Sequence, residues 1–387
     1  MGRIAKGGQV DDFEGMALAL AEGRKALWRS APNPPVGCAL VRDGQVIATG
    51  HTAEVGGPHA EATALADLHA RGAHARGATA YVTLEPCSHH GRTPPCADAL
   101  VREGVARVVV ALADPNPLVA GRGVERLRAA GIDVTLLPPD HPQARAARDT
   151  MIGFLSRMVR QRPWVRMKIA GSLDGRTALD NGESQWITGP DARADGHAWR
   201  ARASAVMTGV GTVLDDDPRL DVRAVQTPRQ PWRVVLDTHW RTPPGSRLLQ
   251  SPGTALVYGA TAQGPEAAAA MARRQALVDA GATAIDAPTG ADARPDLAWV
   301  LADLAARGVN ELHLEAGARL NASVIQSGWV DEFLLYLAPK LIGPGRALAD
   351  LPPLARLADA TTLRFVDVAL VGDDLRVVAR PPGRDLF

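Results

Sequence analysis

Short apolar runs suited to strands alternate with alanine-rich stretches suited to helices along almost the whole chain, and this alternation restricts the fold more than any other feature. Repeated strand, helix and strand units stack helices on the faces of a sheet, so the pattern predicts an α/β protein with largely parallel sheets. In the first half, strands are read at "VGCALVR", "QVIATG", "ATAYVTL", "ARVVVAL" and "DVTLL", with helices at residues 11–28, 60–71, 96–103 and 121–130. The segment "LPPDHPQARAARDTMIGFLSRMVRQRP" then breaks the rhythm with prolines and a basic amphipathic helix, and a second strand series opens at "WVRMKIA". The boundary is placed within residues 150–162, dividing the chain into domains 1–155 and 156–387. The second half continues with "AVMTG", "RVVLD", "TALVYG", "ATAID" and "ELHLEAG", while "APTGADARPD" reads as a loop. It closes with "VDEFLLYLAP", "TLRFVDVAL" and "DLRVVAR", which have no helices between them and so predict an antiparallel finish.

At 387 residues the chain exceeds the size at which one core keeps growing, which agrees with two domains. Forty-three basic and 42 acidic side chains leave a formal charge of +1, which provides no long-range field for a polyanion and argues against a nucleic-acid partner. Cys38, Cys87 and Cys96 are too few and too unevenly spaced for a disulfide framework, so a reducing compartment is expected and the thiols are available for other work. No apolar run approaches the length of about 20 residues needed to span a bilayer. The opening "MGRIAKGGQVDDFEG" lacks the apolar centre of a signal peptide, and Lys6 stands where a myristoylation signal carries Ser or Thr. A soluble, cytoplasmic protein without membrane attachment is expected.

In "GGPHAEATAL", His59 stands two residues before Glu61 at a predicted helix start. Alone the pair reads as a solvated helix terminus rather than as chemistry. Downstream, "TLEPCSHHGRTPPCADAL" places Cys87 after a strand and Cys96 at the head of a helix, where unsatisfied amides favour a thiolate. One imidazole and two thiolates make three ligands with a fourth position open, the arrangement of catalytic zinc, and Glu61 could then carry the proton of an activated water. Residues two apart on a helix point to nearly opposite sides, at about 100° per residue. His59 and Glu61 can therefore share a cavity only if the helix start itself faces it. Two alternatives stand at this point: Cys87 and Cys96 as inert core thiols, or His89 and His90 as ligands in their place.

His-Ala-Glu followed by Pro-Cys and a second Cys resembles the zinc nucleoside and nucleobase deaminases. Most of those space the cysteines as P-C-x-x-C. Here "PCSHHGRTPPC" separates them by eight residues, and with "PNPPVGC" and "DPNPLVAGRG" it resembles the deaminase half of the bifunctional riboflavin-biosynthesis deaminase-reductases over about residues 11–150. The resemblance implies a cytidine-deaminase-like three-layer domain, zinc on His59, Cys87 and Cys96, proton transfer by Glu61, and a pyrimidine contact from Asn33. One departure is Thr52, seven residues before His59, where the family usually has His; His51 stands beside it.

The second half carries "KIAGSLDGRTA", "GESQWITGPDAR" and "TGVGTVLDDDPRL", Gly-punctuated segments after strands. Gly209-x-Gly211 lacks the third glycine of a dinucleotide fingerprint, and no acidic residue is placed to read a ribose, so a standard Rossmann site is excluded. In "ELHLEAGARLNASVI" a strand ends at Glu315, Gly317 allows close backbone approach and a helix start offers amides to a phosphate, although many such turns are only tight connections. Arg200 and Arg223 are candidate phosphate ligands or solvated helix-face residues. The same family continues into a dihydrofolate-reductase-like α/β domain, and the resemblance runs from about residue 163 to 380. It implies NADPH contacts from Ala170, Trp186, Thr212, Asp216, Thr238 and the segment Gly317, Ala318, Arg319, Leu320, Asn321, Ala322 and Ser323. It implies substrate contacts from Ser184, Arg200, Leu220, Arg223 and Glu315; Lys168 and Glu315 are the nearby candidates for acid or base work.

The function implied by the resemblance is zinc-dependent deamination of 2,5-diamino-6-ribosylamino-4(3H)-pyrimidinone 5′-phosphate, then NADPH-dependent reduction of its ribosyl group to ribityl. The partner is a small phosphorylated pyrimidine, and the family implies a homo-oligomer, dimer or larger. A deaminase for cytidine or tRNA adenosine would show the short cysteine spacing. A zinc-stabilised binding module would need a fourth ligand, for which His89 and His90 are candidates, and a nucleotide-binding regulatory module would oxidise no NADPH.

Overall fold

The computed structural model describes residues 9–88, 94–116, 119–261, 264–290 and 292–387. One compact unit runs up to Arg160 and a second from Gln161 to Leu386.

In the first unit the order is α1 (Asp12–Lys25), β1 (Gly37–Arg42), β2 (Gln45–His51), α2 (Ala60–Ala70), β3 (Thr79–Val82), α3 (Cys96–Arg102), β4 (Arg107–Val110), α4 (Arg122–Ala129), β5 (Asp133–Leu136) and α5 (Pro142–Arg160). The α1 start is set by a capping box in which Asp11 accepts from the Glu14 amide and Glu14 reaches back to the Asp11 amide. The sheet order is β2-β1-β3-β4-β5. Only β3, β4 and β5 run parallel; β1 is antiparallel to both its neighbours, which corrects the expectation of a largely parallel sheet in this half. The reason lies at Asp43-Gly44, both at positive φ, a two-residue turn that folds β1 and β2 into a hairpin.

Glycines set how closely the helices lie on this sheet. A Cβ on Gly37 would stand 1.9 Å from the Ala19 carbonyl oxygen, so α1 rests directly on β1; one on Gly50 would stand 2.4 Å from the Ala60 carbonyl oxygen, so the α2 start rests directly on β2. Gly37 pairs with His51 and Cys38 with Gly50, and adjacent strand residues face opposite ways, so α1 and α2 cover opposite faces. The result is three layers around a core of Leu40, Val82, Leu100, Val108 and Leu127.

The second unit runs β6 (Trp164–Ser172), β7 (Arg176–Leu179), α6 (Pro190–Arg202), β8 (Ala205–Gly209), α7 (Val210–Asp216), β9 (Trp232–Leu236), α8 (Arg247–Gln250), β10 (Ala255–Ala260), α9 (Ala267–Asp279), β11 (Thr283–Ala287), α10 (Leu297–Ala306), β12 (Glu311–Leu314), α11 (Ala318–Gln326), β13 (Glu332–Ala338), β14 (Gly345–Ala347), β15 (Arg364–Val371) and β16 (Asp374–Arg380). Nine strands form one sheet in the order β11-β10-β9-β8-β12-β6-β13-β16-β15. It is parallel from β11 to β13 and antiparallel through β16 and β15, the finish that the helix-free tail predicts. The pair β7 and β14 forms a separate small sheet that the sequence reading lacks, because strands of four and three residues carry no apolar period.

One face of the large sheet is charged where a buried parallel sheet is normally apolar. Arg166, 1% exposed, bonds Glu332 on one side and Glu311 on the other, and Arg380 and Arg202 close the row. Trp199 on α6 covers it, stacked 4.5 Å from the Arg166 guanidinium. Truncating one member would leave an unmatched buried charge, which is costly in a way that losing a surface pair is not.

Candidate active sites

His59 is the N-cap of α2, with extended backbone at φ −74° and ψ 170°, and Glu61 is the second helical residue. The helical rotation therefore does not separate them: His59 is aimed by the incoming loop and Glu61 by the first turn. Cys87 follows β3 and Cys96 is the first residue of α3. The Cys96 amide points at the Cys87 sulfur, 3.4 Å away, and the Ala97 amide donates to the Cys87 carbonyl at 3.1 Å.

The ligand atoms of His59, Cys87 and Cys96 all lie within 4.8 Å of one another. His59 Nδ1 is 3.5 Å from Cys87 Sγ and 3.6 Å from Cys96 Sγ. Ordinary zinc–nitrogen and zinc–sulfur bonds at a tetrahedral angle require a nitrogen–sulfur separation of ~3.6 Å, so His59 stands from both sulfurs as that ion requires. The Cys96 thiol, then burial and His59, set the Cys87 thiol, which is held down to about 4; Cys87 in turn pushes Cys96 up. A divalent cation between the two sulfurs would hold both as thiolates. Burial first, then the Cys87 charge, pushes the Glu61 carboxyl up to about 7. His89 and His90 lie outside the described residues.

Other expected positions in this unit lie as follows. Asn33 is half-buried in the loop between α1 and β1. Thr52 is buried, its hydroxyl accepting from the Val36 amide at 3.1 Å. The His51 ring lies against α1, with Nδ1 3.0 Å from Glu22 Oε2.

In the second unit a cavity of about 770 Å³ opens beyond the C-terminal ends of β8 and β12 and beside the second half of β6, near where open α/β sheets place ligands. Its walls include Lys168, Ala170, Ser184, Trp186, Arg200, Thr212, Asp216, Leu220, Arg223, Glu315, Gly317, Ala318 and Asn321. Thr238, Arg319, Leu320, Ala322 and Ser323 are not among them. The segment after Gly317 is helix rather than loop, so its residues alternate in direction: 317, 318 and 321 face the cavity, Leu320 packs on Gly209, and Ala322 is in the core. The Thr238 carbonyl accepts from the Ala260 amide at 3.1 Å.

Arg200 grips the Glu315 carboxylate in a fork, Nε to Oε1 at 2.5 Å and Nη2 to Oε2 at 2.8 Å, and Lys168 Nζ stands 3.9 Å from Oε2. Burial alone would raise this carboxyl, but the Arg200 charge and then Lys168 hold it well below the ordinary carboxylate range. Burial lowers the Lys168 ammonium, with Glu315 opposing. A nicotinamide dinucleotide has a place here: the α11 start presents its amides, and among the described residues a Cβ on Gly317 would meet only Thr212 within 4 Å and the buried Asn321 Oδ1 has no hydrogen-bond partner. An adjoining cavity of about 330 Å³ adds His197 and Tyr336. Burial, then Arg200 and Arg223, push the His197 imidazole down to about 4. The sequence reading passes over His197; its signal was the three-residue spacing to Arg200, which puts both on one face of α6.

Comparison with known proteins assigns a family to each half of the chain. Residues 10–112 match the family described as the cytidine and deoxycytidylate deaminase zinc-binding region, and residues 163–377 match the RibD C-terminal domain. The chain is 42% identical over 378 residues to riboflavin biosynthesis protein RibD of Escherichia coli K12, covering 93% of this chain and 96% of that one. It is similar to the solved structure of Acinetobacter baumannii RibD, with 39% identity, TM-score 0.84 and coverage of 95% and 98%. A diaminohydroxyphosphoribosylaminopyrimidine deaminase/5-amino-6-(5-phosphoribosylamino)uracil reductase from Thermotoga maritima is 31% identical at TM-score 0.81, with coverage of 95% and 97%.

Proposed function

The chain belongs to the family of riboflavin biosynthesis protein RibD, bifunctional deaminase-reductases, and from that premise we propose how its residues divide the two reactions. The substrate is 2,5-diamino-6-ribosylamino-4(3H)-pyrimidinone 5′-phosphate. In the first reaction water replaces a ring amine, which leaves as ammonia; in the second the ribosyl group, in its open imine form, becomes ribityl.

His59, Cys87 and Cys96 hold zinc. When bound, zinc lowers the pKa of a coordinated water towards neutrality and makes water a nucleophile at pH 7. Glu61 takes a proton from the attacking water and returns it to the departing amine. Both transfers are open to it because burial brings its carboxyl to about 7, neither strongly acidic nor strongly basic under working conditions. Asn33 orients the pyrimidine.

In the reductase, NADPH would supply the hydride when bound. Ala170, Trp186, Thr212, Asp216, Gly317, Ala318 and Asn321 line its cavity; contacts from Thr238, Arg319, Leu320, Ala322 and Ser323 rest on the family resemblance alone. Ser184, Arg200, Leu220, Arg223 and Glu315 hold the substrate. Glu315, kept ionised by Arg200, accepts hydrogen bonds and orients; Lys168, whose ammonium is made more acidic by burial, gives up the proton.

The observation that carries this reading is the spacing of one imidazole and two sulfurs at the separations zinc demands, beside a buried carboxyl. Glu61→Gln should keep zinc and lose deamination, followed as a mass gain of about one unit on exchange of amine for oxygen. It should still oxidise NADPH on pre-deaminated substrate. Unchanged deamination would remove Glu61 from the mechanism.

The reading extends to a homo-oligomer, dimer or larger, and to a cytoplasmic location. The first is supported by β15, an edge strand that exposes Phe365 and Leu370 at 71% and 76%, and the second by the three free cysteines. Among the described residues no helix is long and apolar enough to cross a membrane.

A further inference from the structure

Two residues before Cys87, Glu85 is 3% exposed and makes no ion pair among the described residues, although its carboxylate is buried. Four backbone amides hold it instead. Oε1 accepts from Gly123 at 2.9 Å and Val124 at 3.1 Å, and Oε2 from Gly121 at 3.0 Å and Asp114 at 3.2 Å. Three of these amides belong to the start of α4, whose N-cap, Gly121, has no side chain to offer. Glu85 therefore caps α4 from a different part of the chain, where the helix dipole favours a negative charge.

The cap is coupled to the ligand through the backbone between them. The Pro86 carbonyl lies so close to α4 that a Cβ on Gly123 would stand 2.0 Å from its oxygen. The next residue is Cys87, whose carbonyl is held from the other side by the Ala97 amide of α3 and whose sulfur faces the Cys96 amide. The Cys87 main chain is clamped between the first turns of two helices, and Glu85 anchors one of them.

We propose that Glu85 is a positioning residue of the metal centre: by capping α4 it fixes the Glu85-Pro86-Cys87 backbone and so aims the Cys87 thiolate. The proposal rests on the reading of His59, Cys87 and Cys96 as metal ligands. A glutamine at this site would turn an NH2 group towards amides that need an acceptor, which breaks the cap at nearly constant volume.

The test uses the full chain. Zinc affinity is measured by chelator competition, and the thiolate-to-metal charge-transfer band is read after cobalt substitution. Glu85→Gln should bind zinc roughly 10- to 100-fold more weakly, the range for outer supports of metal ligands, with an altered cobalt band and unchanged NADPH oxidation on pre-deaminated substrate. Gly123→Ala, which removes no charge, should displace Pro86 and shift the band in the same way. A folded Glu85→Gln protein with the parent affinity and band overturns the proposal; should that variant not fold, the same result from Gly123→Ala does so. Hydrogen exchange on the unaltered protein needs no variant. Because coupling is reciprocal, stripping zinc should speed exchange at the Gly121, Gly123 and Val124 amides more than at β4, and equal rates with and without zinc also overturn it. A Cys87→Ser protein that binds zinc as tightly as the parent would overturn the ligand assignment itself, and the proposal with it.

Discussion

At the scale of single residues, both sites depend on carboxyls whose state is set by burial and the charges beside them. Glu315 would be an ordinary buried acid without Arg200, and the planar fork of guanidinium on carboxylate is what keeps it ionised. Arg200→Lys retains the positive charge but cannot make both bonds, so NADPH oxidation should fall by about 10- to 100-fold in kcat/KM, or ~1.4 to 2.7 kcal/mol. The pH profile supplies the sign. A carboxyl held below its reference value of 4.5 stays charged as pH falls through 4.5, and its contribution is lost only at lower pH. The acid limb of Arg200→Lys should therefore move up towards 4.5 from below; a profile that overlays the parent's would show that Arg200 does not control this group. His59, Glu61 and Cys96 were readable in the sequence because each sits at a helix start marked by Pro and small residues, and Cys87 because it follows a strand and Pro86. Glu85 was not, since a Glu before Pro-Cys gives no sign that the four amides it serves lie 29 to 39 residues further on.

At the scale of elements, helix starts do most of the placing. The beginnings of α2 and α3 deliver His59, Glu61 and Cys96, and the beginning of α11 faces the reductase cavity. Their positions depend on how closely they can rest on the strands beneath, which is decided by glycines with no room for a Cβ. Gly37→Ala should force α1 off β1, because the new carbon would meet the Ala19 carbonyl oxygen and the Gly23 nitrogen at 1.9 and 2.4 Å. A cost of roughly 3 kcal/mol is expected, the upper end of overpacking effects. Thermal unfolding of the deaminase unit would register it, and an unchanged midpoint would mean that the helix can shift at no cost. Element types were readable from periodicity nearly throughout. The hairpin of β1 and β2 went unread although Asp43-Gly44 is a two-residue turn, and β7 and β14 were too short to announce anything.

At the scale of the whole molecule, each activity has its groups within one compact unit: the metal ligands fall at residues 59–96, and the reductase cavity is lined by residues 168–348. Removing zinc with a chelator should therefore stop ammonia release while NADPH oxidation on deaminated substrate continues. Loss of both together would show that the reductase needs the metal. Zinc added back should restore the first reaction. The chain's alternation of strands and helices, the Pro-marked break in it ahead of a boundary within residues 150–162 and its helix-free tail pointed to two α/β units and an antiparallel edge, because these follow from local period and turn chemistry. The same sequence also specified the ligand types, since imidazole and thiolate are read directly. Distance was another matter. That three donors meet at zinc spacing, that Arg200 rather than any other arginine grips Glu315, and that Arg166 lies buried between two glutamates were decided only when strands far apart in the chain came into register. Local pattern encodes direction and chemistry, but long-range pairing alone converts them into separations of a few ångströms, and burial at those separations is what sets the charges.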